Sequence, residues 1–361
     1  MNRFYADIRK NFGFGMMRLP MIGEEVDLEQ TAKMVDAFMA KGFNYFDTAH
    51  PYIQGKSEIA VRECLVKRYP RDSFILTNKL SPSCFEREEQ ILPMFADQLE
   101  KCGVEYFDFY LHHAMSAVRH EKHLKTRAYE IALELKAQGK IRHIGMSFHD
   151  SAQVLDRILT ERPEIEVVQL QINYVDWEDP NVQGRACYEV CVKHGKPVIV
   201  MEPVKGGSLV KLPQKAIDLM DGRPASYAIR YAAGHDNVMM VLSGMSNLEQ
   251  MGDNLSTMTD FQPLTPAELE TVDQVRTIYQ GLHKVPCTGC RYCVEGCPAG
   301  IPIPDVFSVF NDKKREKEGA DEAYAAFENN ASACLGCGQC ENECPQHLHI
   351  RELLEAVAKA F

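Results

Sequence analysis

The 361-residue sequence has no apolar run approaching the roughly 18 residues that a membrane-spanning helix needs, and its first residues, MNRFYADIRK, lack the apolar core of a secretory signal. It has no surplus of positive charge: 40 Lys and Arg stand against 51 Asp and Glu, for a net charge of -11. Without a broad basic surface, neither nucleic acid nor a membrane surface is an expected partner. A Gly-rich phosphate turn after the first apolar segment is missing, which disfavours a doubly wound dinucleotide-binding sheet, and no flavin-binding motif stands out. The chain is therefore expected to be soluble and cytoplasmic. In that reducing compartment its thirteen cysteines are not expected to form disulfides.

What is present is a repeating alternation. Eight short apolar segments bounded by turn residues, FGFGMMRL, FNYFDTA, FILTNKL, YFDFYLHH, IRHIGMSF, VVQLQINYV, PVIVMEPV and VMMVLSGM, read as strands. Amphipathic stretches between them, such as LEQTAKMVDAFMAKG and AYEIALELKAQGK, read as crossover helices. Eight β-α units within about 260 residues predict a (β/α)8 TIM barrel, whose chemistry gathers at the C-terminal ends of its strands. TPAE, Thr265–Glu268, has the form of a capping box opening a last barrel helix. Cys187 and Cys191, four apart on a predicted helix, read as core residues. Near His283 cysteine, glycine and proline take over, so residues 1–282 are assigned to the barrel and 283–361 to a small α-helical and loop domain. Within that domain the charged run DKKREKE, Asp312–Glu318, reads as a solvated face.

Polar groups recur at consecutive strand ends. Asp47 follows the second strand with Tyr52 in the loop beyond it, Lys79 ends the third, and His112 and His113 end the fourth. An aspartate beside a lysine makes an ion pair, and a lysine beside a tyrosine favours the phenolate and eases proton release. Singly, each residue has a structural explanation; their joint occurrence on one rim points to proton transfer.

The order DTA-x-x-Y, a lysine after the third strand, then D-x-Y-L-x-H resembles the aldo-keto reductase family over about residues 10 to 280. That resemblance implies a barrel reducing carbonyls with a nicotinamide cofactor. It places Asp47, Tyr52, Lys79 and His113 in the catalytic tetrad, with Tyr52 as general acid, and leaves His112 as a core neighbour. It also places Ser147 and Gln169 at the nicotinamide carboxamide and Asn254 at the adenine side. Gly244 and Gln250 occupy the positions from which family members grip a 2′-phosphate, and neither carries positive charge, so the expected cofactor is NAD(H) or NADP(H), with no preference for NADP implied. The run PVKGGSL, Pro203–Leu209, admits two readings: a pyrophosphate site using backbone N–H groups and Lys205, or a plain glycine turn.

The tail contains CTGCRYCVEGCP and CLGCGQCENECP, two copies of C-x2-C-x2-C-x3-C-P. Three cysteines so spaced wrap one cubane while the fourth reaches the other, the pattern of a two-cluster bacterial ferredoxin, which this tail resembles. Cys287, Cys290, Cys293 and Cys344 are then expected to hold one [4Fe-4S] cluster, and Cys334, Cys337, Cys340 and Cys297 a second. The sequence thus reads as an iron-sulfur oxidoreductase moving a hydride between NAD(P)H and a small carbonyl or alcohol, with the clusters relaying electrons to or from a separate carrier; a flavin intermediary stays open. Two alternatives stay open beside it: an ordinary reductase with structural clusters, and a non-catalytic electron shuttle.

Overall fold

The computed structural model describes residues 4–282, 284–314 and 317–361. His283 at the expected boundary, Arg315 and Glu316 of the charged run, and Met1–Arg3 lie outside the described residues. Eight parallel strands form a closed barrel: β1 (Phe12–Gly15), β2 (Tyr45–Asp47), β3 (Ile75–Leu80), β4 (Phe107–Met115), β5 (Ile141–Phe148), β6 (Val167–Gln171), β7 (Val198–Met201) and β8 (Val238–Gly244). Each pairs with its sequence neighbour, and β1 closes the ring by pairing with both β2 and β8. The eight apolar segments of the sequence supply these strands. Parallel strands covered by helices outside and by packed side chains within are buried on both faces, so they appear as near-continuous apolar runs. β6 and β3 are buried along their whole length.

Local signals fix the helix ends. Asp27 accepts the N–H of Gln30 at 2.9 Å to open helix Leu28–Ala40, and Gly42, at φ +80°, turns the chain out of it. The capping box is present as read: Thr265 N–H donates to Glu268 Oε2 at 2.8 Å and Glu268 N–H to Thr265 Oγ1 at 3.3 Å, at the start of helix Pro266–Gln280. Cys187 and Cys191 are buried in the main apolar core.

Two strand glycines set how tightly the barrel interior packs. A Cβ on Gly145 would lie 2.5 Å from Val167 Cγ2, 2.6 Å from Leu111 Cδ2 and 2.8 Å from the Val167 carbonyl oxygen, and one on Gly13 would meet Leu242 at 2.6 Å. The carbonyl cannot yield as a side chain can. Gly145→Ala is accordingly expected to destabilise the barrel by about 1–3 kcal/mol. Gly15→Ala, where the new Cβ would make ordinary contacts at 3.5–3.6 Å, serves as the control in urea unfolding.

Backbone contacts divide the chain into two compact units, Met1–Val204 with Ile217–Asp273, and Lys205–Ala216 with Gln274–Phe361. The segment after β7 therefore groups with the tail, which the sequence did not show. The second unit carries helices Tyr292–Glu295, Ile303–Lys314, Ala320–Ala325, Gln339–Asn342 and Ile350–Ala360. It also has an apolar core of its own, in which Ile301, Val306, Phe307, Ile350, Leu354 and Val357 are fully or nearly fully buried.

Candidate active site and cluster cavities

Alternation along the strands brings the polar set of the barrel to its C-terminal rim. Asp47, Gly15 and Gly244 are in register at the ends of β2, β1 and β8. Lys79 lies two residues beyond Thr77 on the same face of β3, and Thr77 pairs with Asp47. Lys79 Nζ donates to Asp47 Oδ1 at 2.6 Å and to the Thr48 carbonyl at 2.8 Å, with both charged residues buried. Burial drives both groups toward their neutral forms: it lowers the Lys79 ammonium and raises the Asp47 carboxyl, and the ion pair opposes both shifts. Asp47 Oδ2 is buried and has no hydrogen-bond partner among the described residues.

Tyr52 begins the short turn after β2. Its ring lies 4.8 Å from Lys79 Nζ, and the His113 ring stands edge-on to it at 5.9 Å between centroids. Ile53 and Gln54, directly after it, are both left-handed at φ +51° and +54°, a cost of order 1–3 kcal/mol each for non-glycine residues. That strained turn holds the phenol over the lysine. His113 Nδ1 is 2.6 Å from Ser81 Oγ, and burial, reinforced by the Lys79 charge, holds the imidazole well below its usual pKa. The ring is neutral at pH 7 and carries a single N–H.

The next residue, Ala114, is left-handed at φ +52° and sits at a register break between β4 and β5. Its N–H donates to Ser147 Oγ at 2.7 Å, which leaves the serine hydroxyl proton to be donated elsewhere. Gln169 pairs in register with Ser147, and its Oε1 is buried without a hydrogen-bond partner among the described residues. An open acceptor beside an available donor matches the two ends of a carboxamide. Asn254 is buried with Nδ2 donating to Ser243 Oγ at 3.0 Å. His112 faces the other way, among the helices: neither ring nitrogen has a hydrogen-bond partner among the described residues, and the ring packs against Tyr129 at 4.5 Å and His123 at 5.1 Å.

Three features of the barrel escaped the sequence reading. Arg18, just past β1, lays its methylenes 3.2–3.3 Å from where a Gly244 Cβ would stand and pairs with Glu202 at 3.5 Å. Glu202, next to Met201 at the end of β7, is itself left-handed at φ +56°. Beyond β6, Asn173 and Gln171 both donate to Asp176 Oδ2 at 2.6 Å, while Asn173 Oδ1 accepts the N–H groups of Val175 and Asp176. An asparagine three residues before an aspartate is the one sequence signal for that buried Asx turn.

In the second unit, Cys287, Cys290, Cys293 and Cys344 line one cavity, and Cys297, Cys334, Cys337 and Cys340 line another. Equivalent turns open the two runs. Gly289 N–H donates to Cys287 Sγ and Gly336 N–H to Cys334 Sγ, each at 3.4 Å, with φ +69° and +68° at the glycines. Among the described residues no three His, Cys, Asp or Glu side chains meet closely enough for a single metal ion; the thiols stand around each cavity instead. Burial pushes the thiols of Cys293 and Cys344 up, and that of Cys340 to about 11, so metal must displace their protons. His347 and His349, just past the second run, are exposed.

A model of the aldo/keto reductase family matches residues 11–227, well over half of the chain. The chain belongs to the aldo/keto reductase family. As a member it is an oxidoreductase. A model of the 4Fe-4S dicluster domain matches residues 286–348, which include both cysteine runs. No curated protein matches the chain. Among solved structures it is similar to an aldo-keto reductase from Bacillus halodurans in its holo form, at 24% identity and a TM-score of 0.60, covering 74% of this chain and 92% of that one. It is similar also to an aldo/keto reductase from Klebsiella pneumoniae in complex with NADP and acetate, at 20% identity and a TM-score of 0.61, covering 74% and 91%. A third is the aldose reductase of Giardia lamblia, at 16% identity and a TM-score of 0.59, covering 76% and 94%. At these identities the likeness is one of fold. Each leaves about a quarter of this chain uncovered.

One expectation changes at the barrel's seventh loop. Of the two readings of PVKGGSL, the one that sends the Lys205 side chain to a pyrophosphate is not what the structure shows: the residue is buried, and its Nζ lies 3.3 Å from Gln346 Oε1 within the second unit. In the tail, apolar side chains spread thinly between prolines and cysteines converge into one core once the helices pack.

Proposed function

We propose that the protein is a nicotinamide-dependent carbonyl reductase or alcohol dehydrogenase with two [4Fe-4S] clusters, and that Tyr52 exchanges the proton. The observation that carries this reading is the buried Lys79–Asp47 pair at 2.6 Å with Lys79 Nζ 4.8 Å from the centre of the Tyr52 ring. A nicotinamide, when bound, supplies or accepts the hydride. Tyr52 gives its hydroxyl proton to the carbonyl oxygen as negative charge grows there, and the Lys79 cation stabilises the charge left on the phenol. Asp47 fixes the lysine in place, and neutral His113 orients the same oxygen through its N–H. Gln169 Oε1 and the Ser147 hydroxyl would hold the carboxamide, with Asn254 on the adenine side. Neither Gly244 nor Gln250 carries a cation for a 2′-phosphate, and only the Arg18 methylenes lie where a Gly244 side chain would stand, so NAD(H) or NADP(H) fits this reading.

The clusters supply one-electron carriage, and two of them match the two electrons of a hydride. On this reading they serve a separate electron carrier. A second reading has its own support: Cys293 and Cys340 belong to the apolar core of the tail, as expected of clusters that hold the fold together.

Anaerobic titration with NADH and then NADPH, followed by cluster absorbance and electron paramagnetic resonance, separates the two. Bleaching with a reduced-cluster signal is the expected result. Carbonyl reduction without any bleaching would make the tail a scaffold or the port of another electron carrier.

A further inference from the structure

We propose that Glu58 is a positioning residue for proton transfer, holding Lys79 through Asn78 and the Tyr52 turn through His50; the inference rests on the reading of Tyr52 and Lys79 as the proton-transfer pair. Glu58 lies on the short helix Lys56–Val61, which follows the turn Tyr52–Gly55 directly, and it is fully buried. A buried carboxyl group has to be met by hydrogen bonds or by opposite charge. Both oxygens are met here: Asn78 Nδ2 donates to Oε1 at 2.8 Å, and His50 Nδ1 lies 3.0 Å from Oε2.

The first arm runs into the backbone of Lys79. Asn78 Oδ1 accepts the Lys79 N–H at 2.8 Å, and Gln98 Nε2 donates to the Lys79 carbonyl at 2.9 Å and to Asn78 Oδ1 at 3.1 Å. Gln98 Oε1 accepts the Tyr110 hydroxyl at 2.6 Å, and Asn78, Gln98 and Tyr110 are all buried. A peptide N–H only donates and a carbonyl only accepts, so both amides are turned one way and the Asn78 NH2 is directed to Glu58. The second arm holds His50, between Asp47 and Tyr52 in sequence, whose side chain is 19% exposed and whose Nε2 lies 3.9 Å from the surface residue Asp97. Ser57, next to Glu58 and also buried, anchors the start of the same segment. Its hydroxyl donates to the Met16 carbonyl at 2.9 Å, so the Thr48 hydroxyl donates to Ser57 Oγ at 2.7 Å. Thr48 is also the residue whose carbonyl accepts Lys79 Nζ. Left-handed Ile53 and Gln54 persist only where the turn is held from outside, and Ser57 and Glu58 hold it from one helix. Glu58 thereby fixes the placement of Tyr52 over Lys79 without touching the phenol or the ammonium.

The test uses the full chain purified without oxygen, with para-nitrobenzaldehyde as carbonyl probe and NADH or NADPH as hydride donor. Glu58→Leu removes both acceptors and is expected to lower kcat by up to about 100-fold, the effect of slightly misplaced catalytic groups, with nicotinamide affinity by fluorescence quenching unchanged. Glu58→Gln, which can accept from Asn78 and donate to the other tautomer of His50, should restore most of that loss. Without substrate, hydrogen exchange should quicken over residues 48–55 in Glu58→Leu and in His50→Phe, and around Lys79 in Glu58→Leu alone. His50→Phe, which cuts one arm at a partly exposed site, decides the matter if Glu58→Leu does not fold, and the exchange pattern decides it if the wild-type protein does not reduce the probe. Tyr52→Phe measured alongside separates two failures. If it leaves turnover unchanged, the proton-transfer reading falls and takes this inference with it. If it lowers turnover while the Glu58 and His50 variants keep wild-type kcat, or keep wild-type exchange over the turn, this inference alone is overturned. Exchange quickened evenly across the barrel, with nicotinamide affinity lost as well, also overturns it, since Glu58 would then serve the fold and not the pair.

Discussion

Tyr52→Phe is expected to lower kcat for carbonyl reduction by about 10²–10⁴-fold, the usual contribution of a positioned general acid. The change removes one oxygen and leaves the ring. The ring contacts with Lys79 at 4.8 Å and His113 at 5.9 Å then survive, and the turn strained at Ile53 and Gln54 is untouched. Binding of nicotinamide, read by fluorescence quenching, should change little. A variant with unchanged turnover would show that the proton comes from elsewhere. Lys79→Met makes a sharper companion, because it strands the buried Asp47 carboxylate, whose Oδ2 already lacks a hydrogen-bond partner among the described residues. Breaking a buried pair on one side costs about 3–5 kcal/mol. Combining Lys79→Met with Asp47→Asn should recover much of that stability and none of the turnover. Stability and catalysis would thereby separate at a single ion pair, as they must if the lysine acts on Tyr52 as well as on the fold.

Much of this molecule can be read from its sequence because the relevant signals are local. A strand buried on both faces shows as an apolar run, the Thr265–Glu268 capping box is contained in four residues, and each cysteine run declares its spacing within eleven. The rim residues could be found because consecutive β-α units deliver their strand ends to one face in order. What escaped depends on closure. Arg18 meets Gly244 only because β1 pairs with β8 across the whole first unit. The direction of the Lys205 side chain cannot be read from a loop containing GG; it follows from Thr288 and Gln346, which lie 83 and 141 residues further on. His112 and His113 show both cases. Adjacent strand residues must face opposite sides, but which of the two faces inward is set by register, and the structure puts His113 beside Tyr52 and His112 against Tyr129.

Cys290→Ala and Cys337→Ala are each expected to halve the iron content, from about eight to about four atoms per chain, because the thiols divide between two cavities by alternate runs. If instead each run of four cysteines served its own cluster, Cys344→Ala would behave like Cys337→Ala rather than like Cys290→Ala; the resonance signal that disappears in each variant tells these apart. Removing all the iron with a chelator should have a larger effect. The tail core built on Ile301, Val306, Phe307 and Leu354 packs around Cys293 and Cys340, so emptying both cavities withdraws support from the middle of that core. Ligation energy is folding energy in small metal domains. The second unit should then become sensitive to protease while the first, which holds its own much larger core, keeps its circular dichroism and its thermal transition. A tail that stays resistant without iron would show that its apolar core is sufficient by itself. The clusters would then be unnecessary for folding, and the duplicated cysteine runs would have to be explained by the electrons they carry.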